Sequence, residues 1–198
     1  MIEIMIVTAI IAATIMMALP YITNRNAQTR KFLREMTILS RELHTKAKLH
    51  GVVYRLVIEM PPIKTIGQQP TQKFWIEKSN SRLVLSEDEE ERAAKREEER
   101  EQDRKKDPKG FEVDNGILKE PREMPSGLSF DQIELARLKR PVREGKAFIH
   151  YLPQGLVDEA AIHIKGQGTQ AWTISIHPLT GRAELIQRAV SLKEIKSQ

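Results

Sequence analysis

The chain has 198 residues, with 32 Lys+Arg against 27 Asp+Glu for a net charge of +5, 40% hydrophobic residues and a mean hydropathy of -0.44. With no cysteine it carries no disulfide framework, thiolate metal site or cysteine nucleophile, and its 10 Gly and 10 Pro argue against a collagen-like or low-complexity chain. The averages conceal a segregation, because Ile4 to Leu19 contains no charged residue at all.

The first predicted element is a helix. Met1 to Ile22 carries one charge, Glu3, and at about 1.5 Å per residue its length of roughly 33 Å matches a hydrocarbon core of about 30 Å. Residues 1–22 therefore read as a membrane-spanning helix half, built on Ile4, Ile6, Val7, Ile10, Ile11, Ile15 and Leu19. A secretory signal peptide fits less well, since an acidic residue stands where a basic leader belongs. A buried core helix is the remaining structural reading, and the run is longer than such a helix needs. Pro20 removes a backbone donor and predicts a bend. Beyond it, Phe32, Met36, Leu39, Leu43 and Ala47 recur every three or four residues, so residues 23–50 read as an amphipathic half that ends at Gly51.

From residue 51 to 190 the pattern changes to short strands. Val52–Ile58, Lys73–Ile76 and Leu83–Leu85 are followed by Ala147–Tyr151, Ala160–Ile164, Ala171–Ile176 and Ala183–Ile186, which together predict an antiparallel sheet or sandwich domain. In Ala171–Ile176 the apolar residues alternate with Thr173, Ser175 and His177, which predicts one buried and one wet face. His177–Gly181 reads as a hairpin turn, with Pro178 pre-setting its backbone and Gly181 free to take a positive φ. Residues 191–198 form a tail.

An insert interrupts this domain. Residues 87–109 hold eleven acidic and eight basic residues. Ser86 with Glu89 makes a capping box, and Asp88/Arg92, Glu91/Lys95 and Glu101/Lys105 are favourable pairs four apart, so a solvated helix and a disordered loop both fit. A docking arm for a charged partner and a tolerated insertion between strands are both open. Without the insert the chain holds 24 basic and 16 acidic residues.

Both ends carry a resemblance. Ile2-Glu3-Ile4-Met5-Ile6-Val7, the small apolar run to Ala13, and Pro20 seventeen positions after Glu3 resemble the mature N-terminus of type IV pilins and type II secretion pseudopilins. Phe148–Gly155, Ala161–Ile164, Trp172–Ile176 and the Leu179-Thr180-Gly181-Arg182 turn are similar to the closing region of the minor pseudopilin H family and its FimT-like relatives. The resemblance implies an α+β pilin-like fold: a long N-terminal helix, membrane-spanning in its first half, followed by a β domain. It implies a minor pseudopilin that helps initiate or cap the periplasmic pseudopilus of type II secretion. Glu3 would pair with the N-terminal amine of a neighbouring subunit, while Pro20 would set the helix kink. Gly155, Trp172, Thr180, Gly181 and Arg182 would form the C-terminal motif.

From the residues alone Glu3 has two readings, a headgroup-level carboxylate and an assembly charge; an acidic residue in an apolar span is costly without a partner. Met1 stands at the family's leucine, so the DNA upstream is expected to encode a basic leader for prepilin peptidase. The implied partners are other major and minor pseudopilins and the inner-membrane secretion platform, and the implied location is the bacterial inner membrane, single-pass, with the C-terminal domain in the periplasm. No cofactor is expected.

Catalytic patterns are weak. His44, His50, His150, His163 and His177 form no metal-binding spacing, there is no phosphate loop or nucleophile elbow, and His163 and His177 read as surface histidines. The chain is therefore read as a non-enzyme. The alternative function is a FimT-like minor pilin of a type IV pilus that binds DNA for uptake through Arg188, Lys193 and Lys196. Glu184 stands where those members place a second basic residue, which counts against nucleic acid.

Overall fold

The computed structural model describes residues 2–62, 71–79 and 110–197, without the side chains of residues 2, 15 and 17–26. The insert 87–109, the Leu83–Leu85 strand and the Ser86 capping box lie outside the described residues.

Helix α1 spans Ile2–His50, and Gly51 follows it at φ 66°, a left-handed conformation that ends a helix at little steric cost. The chain divides into two compact units, Met1–Met36 and Thr37–Gln198, so the boundary falls inside α1. The stripe Phe32, Met36, Leu39, Leu43 and Ala47 is buried throughout.

The membrane-spanning expectation does not survive. Among the described residues no helix is long and apolar enough to cross a membrane. The hydroxyls of Thr8 and Thr14 are bonded back to the carbonyls of Ile4 and Ile10 at 3.0 Å and so are satisfied within the helix. The fold class with a membrane-spanning first half, the transmembrane assignment of 1–22 and the single-pass inner-membrane location are corrected accordingly. The β architecture is compatible with a sandwich.

Among the described residues nine strands follow: β1 (Val53–Met60), β2 (Lys73–Ser79), β3 (Glu112–Val113), β4 (Arg122–Glu123), β5 (Ser129–Leu135), β6 (Gly145–Tyr151), β7 (Ala160–Lys165), β8 (Ala171–Ile176) and β9 (Ala183–Ile186), and then a short helix α2 (Leu192–Lys196). All the pairings are antiparallel. One sheet runs β3-β2-β1-β6, with β4 also on the outer edge of β2; the other runs β5-β7-β8-β9. In the first sheet Arg55 lies opposite Glu77 on one side and His150 on the other. In the second, His163 faces Thr173 directly.

β1 is buried along nearly its whole length rather than on alternate residues, as expected of a strand covered on both faces. The core gathers Leu56, Ile58, Ile76, Ile149, Ile162 and Ile174, each no more than 1% exposed. Packing at this density makes every methylene count. Strand β5 carries a bulge between Phe130 and Gln132, which places Phe130, Ile133 and Leu135 inward at spacings of three and two.

Candidate assembly site

The expected assembly residues lie in the first turns of α1. Glu3 is exposed in the first turn, where a carboxylate complements the positive end of the helix. Around it Ile4, Met5, Ile6, Val7, Ile10, Ile11 and Met16 are all exposed, Ile10 by 59% and Met16 by 78%. These positions cover more than one face, and a helix that is apolar all round is stable only when other elements bury it. The side chains of Ile15, Leu19 and Pro20 lie outside the described residues; the backbone at Pro20 is helical.

In the unit Thr37–Gln198 the C-terminal motif residues meet the second half of α1. Gly181 sits at φ 61°, and a Cβ placed there would lie 2.4 Å from the Cβ of His44. Its carbonyl accepts a hydrogen bond from Ser40 Oγ at 2.9 Å, and Ser40 in turn accepts one from the Tyr151 hydroxyl at 3.0 Å. Tyr151 is fully buried, and that burial drives its phenol far above the usual range, so it remains a neutral donor. Gly155, at φ 89°, presents its carbonyl to His44 Nε2 at 3.0 Å, so the imidazole donates from that nitrogen. Gly181 thus lets its turn approach the helix more closely than a side chain allows, whereas at Gly155, where a Cβ would meet Lys48 at an ordinary 3.4 Å, it is the positive φ that requires glycine.

The remaining motif residues shape the turn and its neighbour. Thr180 Oγ1 accepts the Arg182 N–H at 3.3 Å, and the Arg182 carbonyl closes the hairpin by accepting the His177 N–H at 2.9 Å. The Arg182 side chain is exposed. Trp172 packs its ring where a Cβ on Gly166 would come within 2.7 Å. The structure brings Gly155 and Gly181 together on His44 and leaves Trp172 on a different contact.

Two buried polar clusters were not legible in the sequence. In the first, Asp158 Oδ2 accepts the His150 N–H at 2.9 Å, bonds His150 Nδ1 at 2.8 Å and pairs with Arg137 Nε at 3.2 Å. Burial pushes the Asp158 carboxyl up, but the His150 hydrogen bonds and the His150 and Arg137 charges outweigh it and hold the group below the usual carboxylate range. Beside this cluster the Arg55 guanidinium lies 3.8 Å from the Phe111 ring centroid and 4.5 Å from that of Phe148, and it pairs with Glu77.

In the second cluster Thr173 Oγ1, His163 and Glu134 line up across β8, β7 and β5. His163 bonds Glu134 at 3.1 Å and approaches Thr173 Oγ1 at 3.4 Å. Hydroxyl, imidazole and carboxylate in that order resemble a nucleophilic relay. Thr173, however, is 0% exposed, donates to the Arg188 carbonyl at 2.8 Å and accepts the Val190 N–H at 3.0 Å, so its hydroxyl is fully engaged in structure. His163 is 5% exposed, which corrects its reading as a surface histidine; His177 is exposed as expected. Among the described residues no group of three His, Asp or Glu is placed to hold a metal ion.

The C-terminal basic residues are partly engaged: Lys196 pairs with Glu159 at 2.6 Å and Arg188 with Glu194 at 3.9 Å. Searches with the chain found no matching family model, no matching characterised protein and no matching solved structure.

Proposed function

We propose that the chain is a pilin-like filament subunit, a minor pseudopilin of the type II secretion kind that helps initiate or cap a pseudopilus. The observation that carries this reading is Glu3 within a turn-after-turn exposed apolar stretch of α1, seventeen residues ahead of Pro20. Such a surface is stabilised by apolar neighbours, and helices of other pseudopilins provide them with matching chemistry. Glu3 would then be desolvated among apolar side chains, where only a cationic group makes it tolerable. That pairing sets axial register between subunits. The β domain, held to α1 by Ser40 and His44, would distinguish this subunit from its neighbours. DNA uptake has less support, because Arg188 and Lys196 are paired with acids.

The test is co-purification of the tagged full chain with candidate pseudopilins. The wild-type chain should retain them and Glu3→Ala should lose at least one, while both chains keep the same melting temperature. Equal retention by the two chains would refute the role of Glu3.

A further inference from the structure

The two glycine loops that meet the second half of α1 carry an outer surface that the contacts to His44 do not use. The Val157 N–H donates to the Pro178 carbonyl at 2.8 Å, so the loop 152–157 and the turn 177–182 run side by side, and His44 holds both through Gly155 and Gly181. Leu156 and Leu179 flank that hydrogen bond and remain 47% and 65% exposed. Leucines scattered singly over a surface carry no message, but two on adjoining loops make a patch.

The charge around this patch has one sign. Residues 152–157 and 177–182 include no Asp or Glu other than none beyond the loops themselves, and Arg182 closes the second of them. On α1, Arg41, His44 and Lys48 recur at intervals of three and four, which puts them on one stripe of the helix. Lys48 reaches the first loop, since a Cβ on Gly155 would lie 3.4 Å from its Cδ. Arg41, Lys48 and Arg182 are exposed, and among the described residues none of them has an ion pair. Glu42, the acid beside Arg41 in sequence, pairs with Lys46 at 3.2 Å instead.

Unpaired cations beside exposed leucines are complemented by carboxylates and apolar side chains carried on one partner. A nucleic-acid backbone would satisfy the cations and leave both leucines wet. A lipid surface is typically met by Trp or Tyr, and neither loop contains one. Because His44 fixes both loops, the patch is formed before anything binds, which lowers the ordering cost for a shaped partner.

We propose that Leu156, Leu179, Lys48 and Arg182 form a docking surface for a protein segment in which acidic residues flank leucine-like side chains. The inference goes beyond the filament reading and does not depend on Glu3.

The probe is a randomised peptide library displayed on phage and selected against the immobilised full chain. Each recovered peptide is then synthesised with a fluorescein label and titrated against the wild-type chain and two double variants, Leu156→Ser with Leu179→Ser and Lys48→Glu with Arg182→Glu. The expected peptides combine Asp or Glu with Leu, Ile or Phe, and each double variant should bind them at least about tenfold more weakly at an unchanged melting temperature. Should the leucine pair lower the melting temperature, the charge pair, exposed and without ion pairs to lose, makes the same comparison. Recovery of no peptide that depends on the patch, or of patch-dependent peptides that are basic or lack apolar residues, overturns the proposal. So does binding of duplex DNA that the charge pair abolishes and the leucine pair keeps, or binding of phosphatidylglycerol vesicles that both pairs abolish and no peptide competes away.

Discussion

Gly181→Ala is the sharpest perturbation of the contact between α1 and the C-terminal turn. Two costs add. At φ 61° a residue with a Cβ sits in the left-handed region, at roughly 1–2 kcal/mol. The new methyl would then lie 2.4 Å from the Cβ and 2.6 Å from the Cγ of His44, and His44 cannot swing its own Cβ away; such overpacking costs about 1–3 kcal/mol more. Loss of the Ser40 hydrogen bond to the Gly181 carbonyl adds about 0.5–1.5 kcal/mol if the turn retreats. A total of about 3–6 kcal/mol lowers the melting temperature of a domain this size by roughly 6–24 °C. Gly168→Ala is the internal control, because Gly168 has φ 65° with nothing within 4 Å of its would-be Cβ. It should show only the backbone cost of roughly 1–2 kcal/mol. Thermal melts followed by circular dichroism measure both. If Gly181→Ala melts no lower than Gly168→Ala, the close approach of the turn to His44 is wrong.

Three further outcomes follow from the buried polar groups. Ser40→Ala leaves the Tyr151 hydroxyl and the Gly181 carbonyl without their partner and should cost about 1–3 kcal/mol by urea denaturation. Asp158→Ala removes the buried carboxylate that Arg137 and His150 share and should cost about 3–5 kcal/mol; a loss below about 1 kcal/mol would show that the network is not a buried ion pair. Because the folded Asp158 carboxyl is held below its unfolded value, its contribution is complete above the unfolded value of about 3.9 and fades as pH falls through the lower folded value. Stability of the wild-type chain should therefore drop more steeply than that of Asp158→Asn below about pH 4, measured by melts across pH 2–6.

How much of this was legible in the sequence depends on how local each feature is. The strands at Val53, Lys73, Ala147, Ala160, Ala171 and Ala183 were readable because β-branched runs between turn residues specify a strand without outside help. β5 was missed because its bulge breaks the period-two pattern, setting Phe130 and Ile133 three apart on one face. β3 and β4, two residues each, carry no pattern at all and exist only because the edge of β2 offers them partners.

The buried polar groups were illegible for a different reason. His163 and Thr173 lie at the polar positions of their strands, and it is a segment up to 29 residues further along the chain that covers them. Gly155 and Gly181 could be marked as special from the turn chemistry and the C-terminal resemblance, but their common partner His44, more than a hundred residues away, could not. The apolar N-terminal run misled in the opposite direction: hydropathy over residues 1–22 suggested a membrane span, whereas among the described residues no helix is long and apolar enough to cross a membrane.

The central claim is that the exposed apolar turns of α1 pack against other subunits with Glu3 setting register. Because the chain has no cysteine, Ile10→Cys introduces a single thiol at a position that is 59% exposed. Oxidative cross-linking of this variant, co-expressed with pseudopilins carrying one cysteine at successive positions of their own N-terminal helices, reads the register directly. The expected result is one strong cross-link at a single helical position, with flanking positions a turn away weaker, and its loss or spread when Glu3→Ala is added. Equal cross-linking at every position, or a pattern unchanged by Glu3→Ala, would contradict it.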